Sequence, residues 1–200
     1  ELTDEVRLVP NSLRDDLWAH LASRRRTGKK PRVGWAGAQQ HSGDLAIIAE
    51  AVKQTADEVD WIFFGMCPEE IRPYVAEYHP FEVGVEAYPA KLASLNLDLA
   101  VAPLELHPFN EAKSNLRLLE YGILGLPVIC TDIFPYRTDN APVTRVANET
   151  DAWVQAIRER AHDLDAAARE GDILEAWVRR HYLLSSRLNE WQAALTDPRP

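Results

Sequence analysis

Phe109-Asn110-Glu111-Ala112-Lys113-Ser114-Asn115-Leu116-Arg117-Leu118-Leu119-Glu120-Tyr121-Gly122, continued by Gly125-Leu126-Pro127-Val128-Ile129, is the stretch that decides how this chain is read. A polar turn carrying Lys113, Ser114 and Asn115 opens a helix, and Glu120 follows on it about one and a half turns in. The helix is predicted to stop at Gly125 and to run straight into an apolar strand. A helix N-terminus presents free N–H groups and a partial positive charge, so it suits an anion such as a diphosphate. Lys113 adds a cation to that turn, and Glu120 offers a carboxylate that could grip a sugar hydroxyl. This is the layout expected of a site for a nucleotide sugar.

Working outward, strands and helices alternate. Strands are predicted over 32–36, 60–64, 81–86, 97–102, 127–131 and 143–146, with helices over 44–58, 68–77, 89–95 and 114–124 between them. Runs such as Trp61-Ile62-Phe63-Phe64 and Val128-Ile129-Cys130 are apolar on both faces, as buried parallel strands are. The pattern predicts an α/β fold: a doubly wound, Rossmann-like parallel sheet of about six strands with a C-terminal helical extension. Ahead of it, 6–9 is predicted as a strand and 12–25 as a helix capped by Ser12, with Leu13, Leu17 and Leu21 on one face. The expected organisation is an interdomain strand, helix and linker over 1–30, the nucleotide-sugar-binding domain over 31–148, and packing helices over 149–200. Trp153, Trp177, Tyr182 and Trp191 are the aromatic anchors of those helices. The sequon Asn148-Glu149-Thr150 is taken as a helix start.

In a doubly wound sheet the ligand sits outside the carboxyl ends of the strands where the order reverses, here after the first and fourth sheet strands. The two longest loops fall there: Gly34 to Asp44, and Pro103 to Lys113. In the first, Gly34 and Gly37 would let backbone approach a ligand, and Gln39 and His41 are candidate ligand contacts. Ser42 and Asp44 are taken as helix caps. The dinucleotide fingerprint G-x-G-x-x-G is absent, and no acidic residue follows Phe64-Gly65, which disfavours NAD. On the second side, Lys113, Arg117 and Glu120 share one helix face, with Leu116, Leu119 and Ile123 forming the stripe toward the sheet. An ion-pair ladder is the bland alternative there. Lys113 and His41 are the candidate catalytic groups; Gly37, Gln39, His41, Lys113, Ser114, Asn115, Arg117 and Glu120 are the candidate substrate-binding ones. His107 is compatible with either a catalytic or a plain loop role.

The 200 residues suffice for one good core, and a hydrophobic fraction of 46% with 26% charged residues is ordinary for a globular domain. A net charge of −9 argues against general nucleic-acid binding, which needs a basic field. The basic run Arg24-Arg25-Arg26-Thr27-Gly28-Lys29-Lys30 is expected to be a solvated linker, with peripheral membrane contact as its other reading. Cys67 and Cys130 are expected as small core residues in a reducing compartment. No stretch approaches the ~18 apolar residues of a membrane span, no signal peptide opens the chain, and no cluster has metal-ligand spacing. The abrupt start without Met predicts a piece of something longer.

The order strand, Gly34–Gly37 loop, His41 to Asp44, Phe64-Gly65, Pro103-Leu104, Phe109-Asn110, Lys113 to Gly122 and Gly125 to Ile129 resembles the C-terminal domain of GT-B glycosyltransferases. The similarity is closest to the bacterial retaining type that builds cell-surface polysaccharide, and Val6 to Asn11 is similar to that family's interdomain segment. The resemblance implies binding of a nucleoside diphosphate sugar, with Glu120 on the ribose hydroxyls and Lys113, Ser114 and Asn115 near the diphosphate or sugar. Retaining members commonly carry two glutamates separated by seven residues; here Ala112 stands at the first position and Glu111 is one residue out of phase. The family's Arg/Lys pair is not evident before Glu105. The resemblance further implies transfer of a sugar to a glycan or lipid-linked acceptor, without a metal, in the cytoplasm or at the inner face of the membrane. An N-terminal acceptor domain, absent from these 200 residues, would complete the enzyme. A non-catalytic interaction module on the same fold, or a sugar-nucleotide epimerase using His41 and His107, remain the alternatives.

Overall fold

The computed structural model describes residues 7–38, 42–81 and 84–196, with the backbone alone at Ser42. Six parallel strands form one sheet: β1 (Arg32–Ala36), β2 (Asp60–Gly65), β3 (Glu77–Pro80), β4 (Leu99–Ala102), β5 (Val128–Thr131) and β6 (Thr144–Val146). Their order is β3-β2-β1-β4-β5-β6, so the chain winds outward twice from the centre and reverses between β1 and β4. Helices α1 (Asp15–Trp18), α2 (Ser42–Ala46), α3 (Ala49–Thr55), α4 (Tyr88–Ser94), α5 (Pro108–Glu111), α6 (Leu116–Gly122) and α7 (Phe134–Arg137) lie between or before the strands. Three longer helices follow: α8 (Thr150–His162), α9 (Leu164–His181) and α10 (Leu184–Thr196).

Side-chain alternation along the strands splits the core in two. Val33 and Trp35 of β1, Trp61 and Phe63 of β2, Leu99 and Val101 of β4 and Ile129 of β5 face α3 and α8, where Trp153 is fully buried. The intervening Ala36, Ile62, Phe64, Ala100, Ala102, Val128 and Cys130 face α4, α6 and α9. The helical extension therefore covers both faces of the sheet. On the second face, α6 and α9 meet through small residues: a Cβ on Gly122 would press on Leu174 and Val178, and one on Gly171 would overlap Gly125 O. Gly125 itself has φ +73°, the left-handed turn that ends the α6 segment and that glycine adopts at no steric cost.

The sheet matches the sequence expectations in strand number and order except for the placement of its edge strand, with β1 at the predicted bounds, and Thr150 does start a helix. The N-terminal part does not. Residues 7–10 form no strand, and the helix expected over 12–25 shrinks to α1. Pairing explains this: Leu13 N bonds Tyr182 O and Leu184 N bonds Leu13 O, both at 2.8 Å, which holds residue 13 extended. Beyond α1 the chain turns so that Ser23 N reaches Leu124 O at 3.2 Å. The basic run is likewise not merely solvated: Arg25 bonds Asp172 at 2.7 Å and Gly125 O, and Arg26 bonds Asp165.

The helix expected over 44–58 is two, α2 and α3, broken at Ile48 (φ −101°, ψ 0°). Only a turn of 3₁₀ helix at Arg72–Tyr74 stands where 68–77 was predicted helical, since Pro73 has no N–H to continue an α-helix begun at Pro68. The edge strand is accordingly Glu77–Pro80 rather than 81–86, and residues 84–87 make a turn. A separate α5 precedes α6, with His107 as its cap: His107 Nδ1 accepts from Phe109 N at 3.1 Å. Both cysteines are free; Cys130 is buried, which pushes its thiol up to about 12, whereas Cys67 is half-buried beyond β2.

Candidate functional site

At the reversal between β1 and β4 lies a cavity of about 410 Å³. Gly37 and Ala38 form its floor beyond β1; Lys113, Ser114, Arg117 and Glu120 line one side, and Phe81, Val85 and Tyr88 the other. The glycines here answer to packing as much as to a ligand. A Cβ on Gly34 would collide with Leu97, so that residue serves the packing of β1 on the segment leading into β4 and not the cavity. Gly37 N bonds Phe64 O at 2.9 Å, while Gly65, at φ +102°, is packed against Gly37 O where any Cβ would overlap it. The ends of β1 and β2 can approach this closely because residue 65 is glycine, whereas Gly37 makes room for Trp35 and Arg117.

The loop after β4 is fixed by side chains from four different places. Leu104 N bonds Thr131 Oγ1 at 2.8 Å, Asn148 Nδ2 bonds Leu104 O at 2.9 Å, and Thr131 Oγ1 donates to Asn148 Oδ1 at 2.8 Å. Asp44, buried on α2, accepts from Glu105 N at 2.8 Å, and Asn110 Nδ2 donates to Glu105 O at 2.9 Å. Asp44 thus ties the two loops of the reversal together. With its backbone held this way, the loop presents α6 in one position.

α6 carries the charged groups. Arg117 lies over the Trp35 ring with its guanidinium carbon 5.6 Å from the centroid, directly below Gly37: a Cβ there would come 3.0 Å from Arg117 Nη1. Burial disfavours its charge, but Tyr121, Tyr88 and Glu120 around it raise its pKa, so Arg117 stays cationic. One turn on, Glu120 accepts a hydrogen bond from the Tyr88 hydroxyl at 3.2 Å. Burial pushes the Glu120 carboxyl up, opposed by Arg117 and by the Tyr88 bond. Tyr121 fixes the helix to the sheet, its hydroxyl accepting from Ala36 N at 2.8 Å. Lys113 sits at the rim, its ammonium 5.4 Å from the Phe109 ring centroid. Arg117 and Glu120 face the cavity, so the ladder of surface ion pairs is not what this helix face forms.

Other candidates fall elsewhere. Asn115 is 6% exposed and gives its amide to Tyr182 at 3.2 Å and Thr138 at 3.3 Å, which pins the start of α6 away from this cavity. Ser114 lines the cavity, yet its hydroxyl already accepts from Asn11 Nδ2 at 2.8 Å. Glu111, the out-of-phase carboxylate, accepts from Phe134 N at 3.2 Å. Gln39 and His41 lie outside the described residues. The sequence reading missed Phe81, Val85, Tyr88, Leu104 and Tyr136, all of which line the cavity. Only the strand order brings the segment after β3 to this place, and aromatic residues near a strand end carry no signal of their own. Among the described residues no group of His, Cys, Asp or Glu is placed to hold a metal ion.

No protein-family model and no curated protein matches the sequence. Solved structures do match in fold. Sucrose-phosphate synthase from Thermosynechococcus elongatus superposes with a TM-score of 0.68 at 15% identity, over 94% of this chain and 51% of that one. Alr3699/HepE from Anabaena, in complex with UDP and glucose, gives 0.63 at 12% identity, over 84% of this chain and 49% of its own. A TarM variant from S. aureus, in complex with fondaparinux, α-GlcNAc-glycerol and UDP, gives 0.62 at 17%, over 90% of this chain and 38% of its own. The chain spans between 38% and 51% of the length of these three structures. It has the fold of the C-terminal domain of GT-B glycosyltransferases.

Proposed function

We propose that this chain is the donor-binding domain of a glycosyltransferase that takes a sugar from a nucleoside diphosphate and passes it to a hydroxyl of a glycan or lipid-linked acceptor. The observation that carries this reading is the convergence of Arg117, Lys113 and Glu120 on one cavity at the sheet's reversal, floored by Gly37. The two cations suit the phosphates, and the carboxylate suits ribose hydroxyls, which donate to it. That two proteins of the same fold were crystallised with UDP supports the assignment. In this reading Lys113 and Arg117 stabilise the leaving diphosphate as charge develops on it, so no metal is required. An acceptor-binding domain would supply the rest of the cleft, on a cytoplasmic protein.

Calorimetric titration with UDP, GDP and their sugars tests the site. We expect binding by the native sequence and a loss of about tenfold or more in Glu120→Ala, the worth of a hydrogen bond to a charged group. Lys113→Ala, at the rim, should lose less. If no nucleotide binds while a protein or glycan partner does, the chain is an interaction module and the donor reading is wrong.

A further inference from the structure

Tyr88 opens α4, immediately before Pro89, and other rings fix its own. It stacks on Phe64 at 5.5 Å and 20°, lies beside Phe81 at 6.1 Å and 42°, and meets Trp18 edge-on at 6.1 Å and 70°. Phe64 and Trp18 are core residues, so the phenol is anchored to the body of the domain and not to a surface loop. Its hydroxyl emerges at the cavity and donates to Glu120 Oε2. A tyrosine held on three sides has no rotamer left to explore, whereas a glutamate has three rotatable bonds and loses appreciable entropy when it is made to point one way. A carboxylate has about four acceptor positions, so the bond to Tyr88 orients Glu120 without using it up.

Resting on the donor-site reading, we propose that Tyr88 is a positioning residue: it aims the Glu120 carboxylate at the ribose diol, so selection of a ribonucleotide over its deoxy form depends on this phenol. In the donor-site reading the phosphates belong to Arg117 and Lys113, and the Tyr88 hydroxyl donates its hydrogen bond to Glu120. Its loss should therefore affect one part of the ligand and leave the other alone.

The test compares UDP with dideoxy-UDP by calorimetry, or GDP with dideoxy-GDP if GDP binds tighter. The native chain should prefer the ribonucleotide by about tenfold or more, the worth of hydrogen bonds to a charged acceptor. Tyr88→Phe keeps the ring and its stacking, so it should unfold at nearly the native temperature. Its preference should fall to about threefold or less, and its affinity for the dideoxy nucleotide should stay within about twofold. In a Glu120→Ala background the same change should do nothing further, because there is no carboxylate left to aim. A Tyr88→Phe variant that keeps the full preference, or that weakens both nucleotides equally, overturns the inference and leaves the donor site standing. Failure of the native chain to bind either ribonucleotide overturns both.

Discussion

On the α6 side of the cavity stand Lys113, Arg117 and Glu120, and on the α4 side Phe81, Val85 and Tyr88. The first wall carries charge and almost no rigidity of its own, since each of its side chains is long. The second carries no formal charge and is rigid, because Tyr88 is stacked on Phe64 and Phe64 is core. Where the two sets meet, the rigid one steadies the charged one: Tyr88 holds Glu120 by a direct hydrogen bond, and Trp35 lies under Arg117. The chemistry and its aim thus come from different segments, brought together by the sheet order and joined by the Tyr88–Glu120 bond.

Breaking the seam between the walls should have the largest effect. Gly65 ends β2 at φ +102° and packs on Gly37 O, so Gly65→Ala adds backbone strain and forces β1 and β2 apart beneath the cavity. We expect a cost of about 3 kcal/mol or more in urea unfolding, along with loss of nucleotide binding. Gly84→Ala is the control, because a Cβ there meets nothing within 4 Å; it should stay within about 0.5 kcal/mol of the native chain.

A smaller effect, confined to one wall, is expected from Arg117→Met, which keeps an unbranched side chain against Trp35 and removes the cation. UDP affinity should fall by about tenfold or more, the worth of a charge-assisted phosphate contact, and uridine affinity should hardly change. Tyr88→Phe should do the reverse, sparing the phosphates and blunting ribose selection. If both variants weaken both ligands alike, the cavity responds as one body and the division into two walls is wrong.

The same division explains what was legible in the sequence. Charged groups on a helix at a strand end announce themselves, because few packing reasons place Lys113, Arg117 and Glu120 on one face. The continuous apolar runs of β2 and β5 predict buried parallel strands for the same reason. Tyr88 and Phe81 gave no such signal: their role exists only because β3 lies outside β2 and brings the following turn back over β1. The N-terminal helix failed in the opposite way. Its apolar spacing is real, and Leu13 is buried with Leu17 and Leu21 packed against the core, but pairing of residue 13 with Tyr182 and Leu184 overrides a helix that local pattern alone supports. Asn115 was legible as important and illegible as to why, since its partners Tyr182 and Thr138 are remote in sequence.

The smallest and most diagnostic effect is on pH. Burial raises the Glu120 carboxyl, with Arg117 and the Tyr88 hydroxyl pulling the other way. An ionised carboxylate accepts from a ribose diol more strongly than the protonated acid does, so nucleotide affinity should begin to fall, on acidification from neutral pH, before an ordinary carboxylate would titrate. Below the raised pKa the fall should level off at about the loss that removal of the carboxylate itself causes. Fold stability runs the other way for this group. A carboxyl whose pKa is raised on folding binds its proton more tightly in the native state, so its contribution is present below the unfolded pKa and is lost as pH rises through the folded one. Mild acid should therefore weaken binding while Glu120 itself does nothing to destabilise the fold, and unfolding measured alongside binding separates the two. The phosphates of UDP also titrate in this range, which makes Glu120→Gln the necessary partner: it keeps the phosphate contribution and removes the carboxyl. The difference between the two pH profiles belongs to Glu120. If the profiles superpose, Glu120 is not the group that meets the nucleotide, and the charged wall reduces to Arg117 and Lys113.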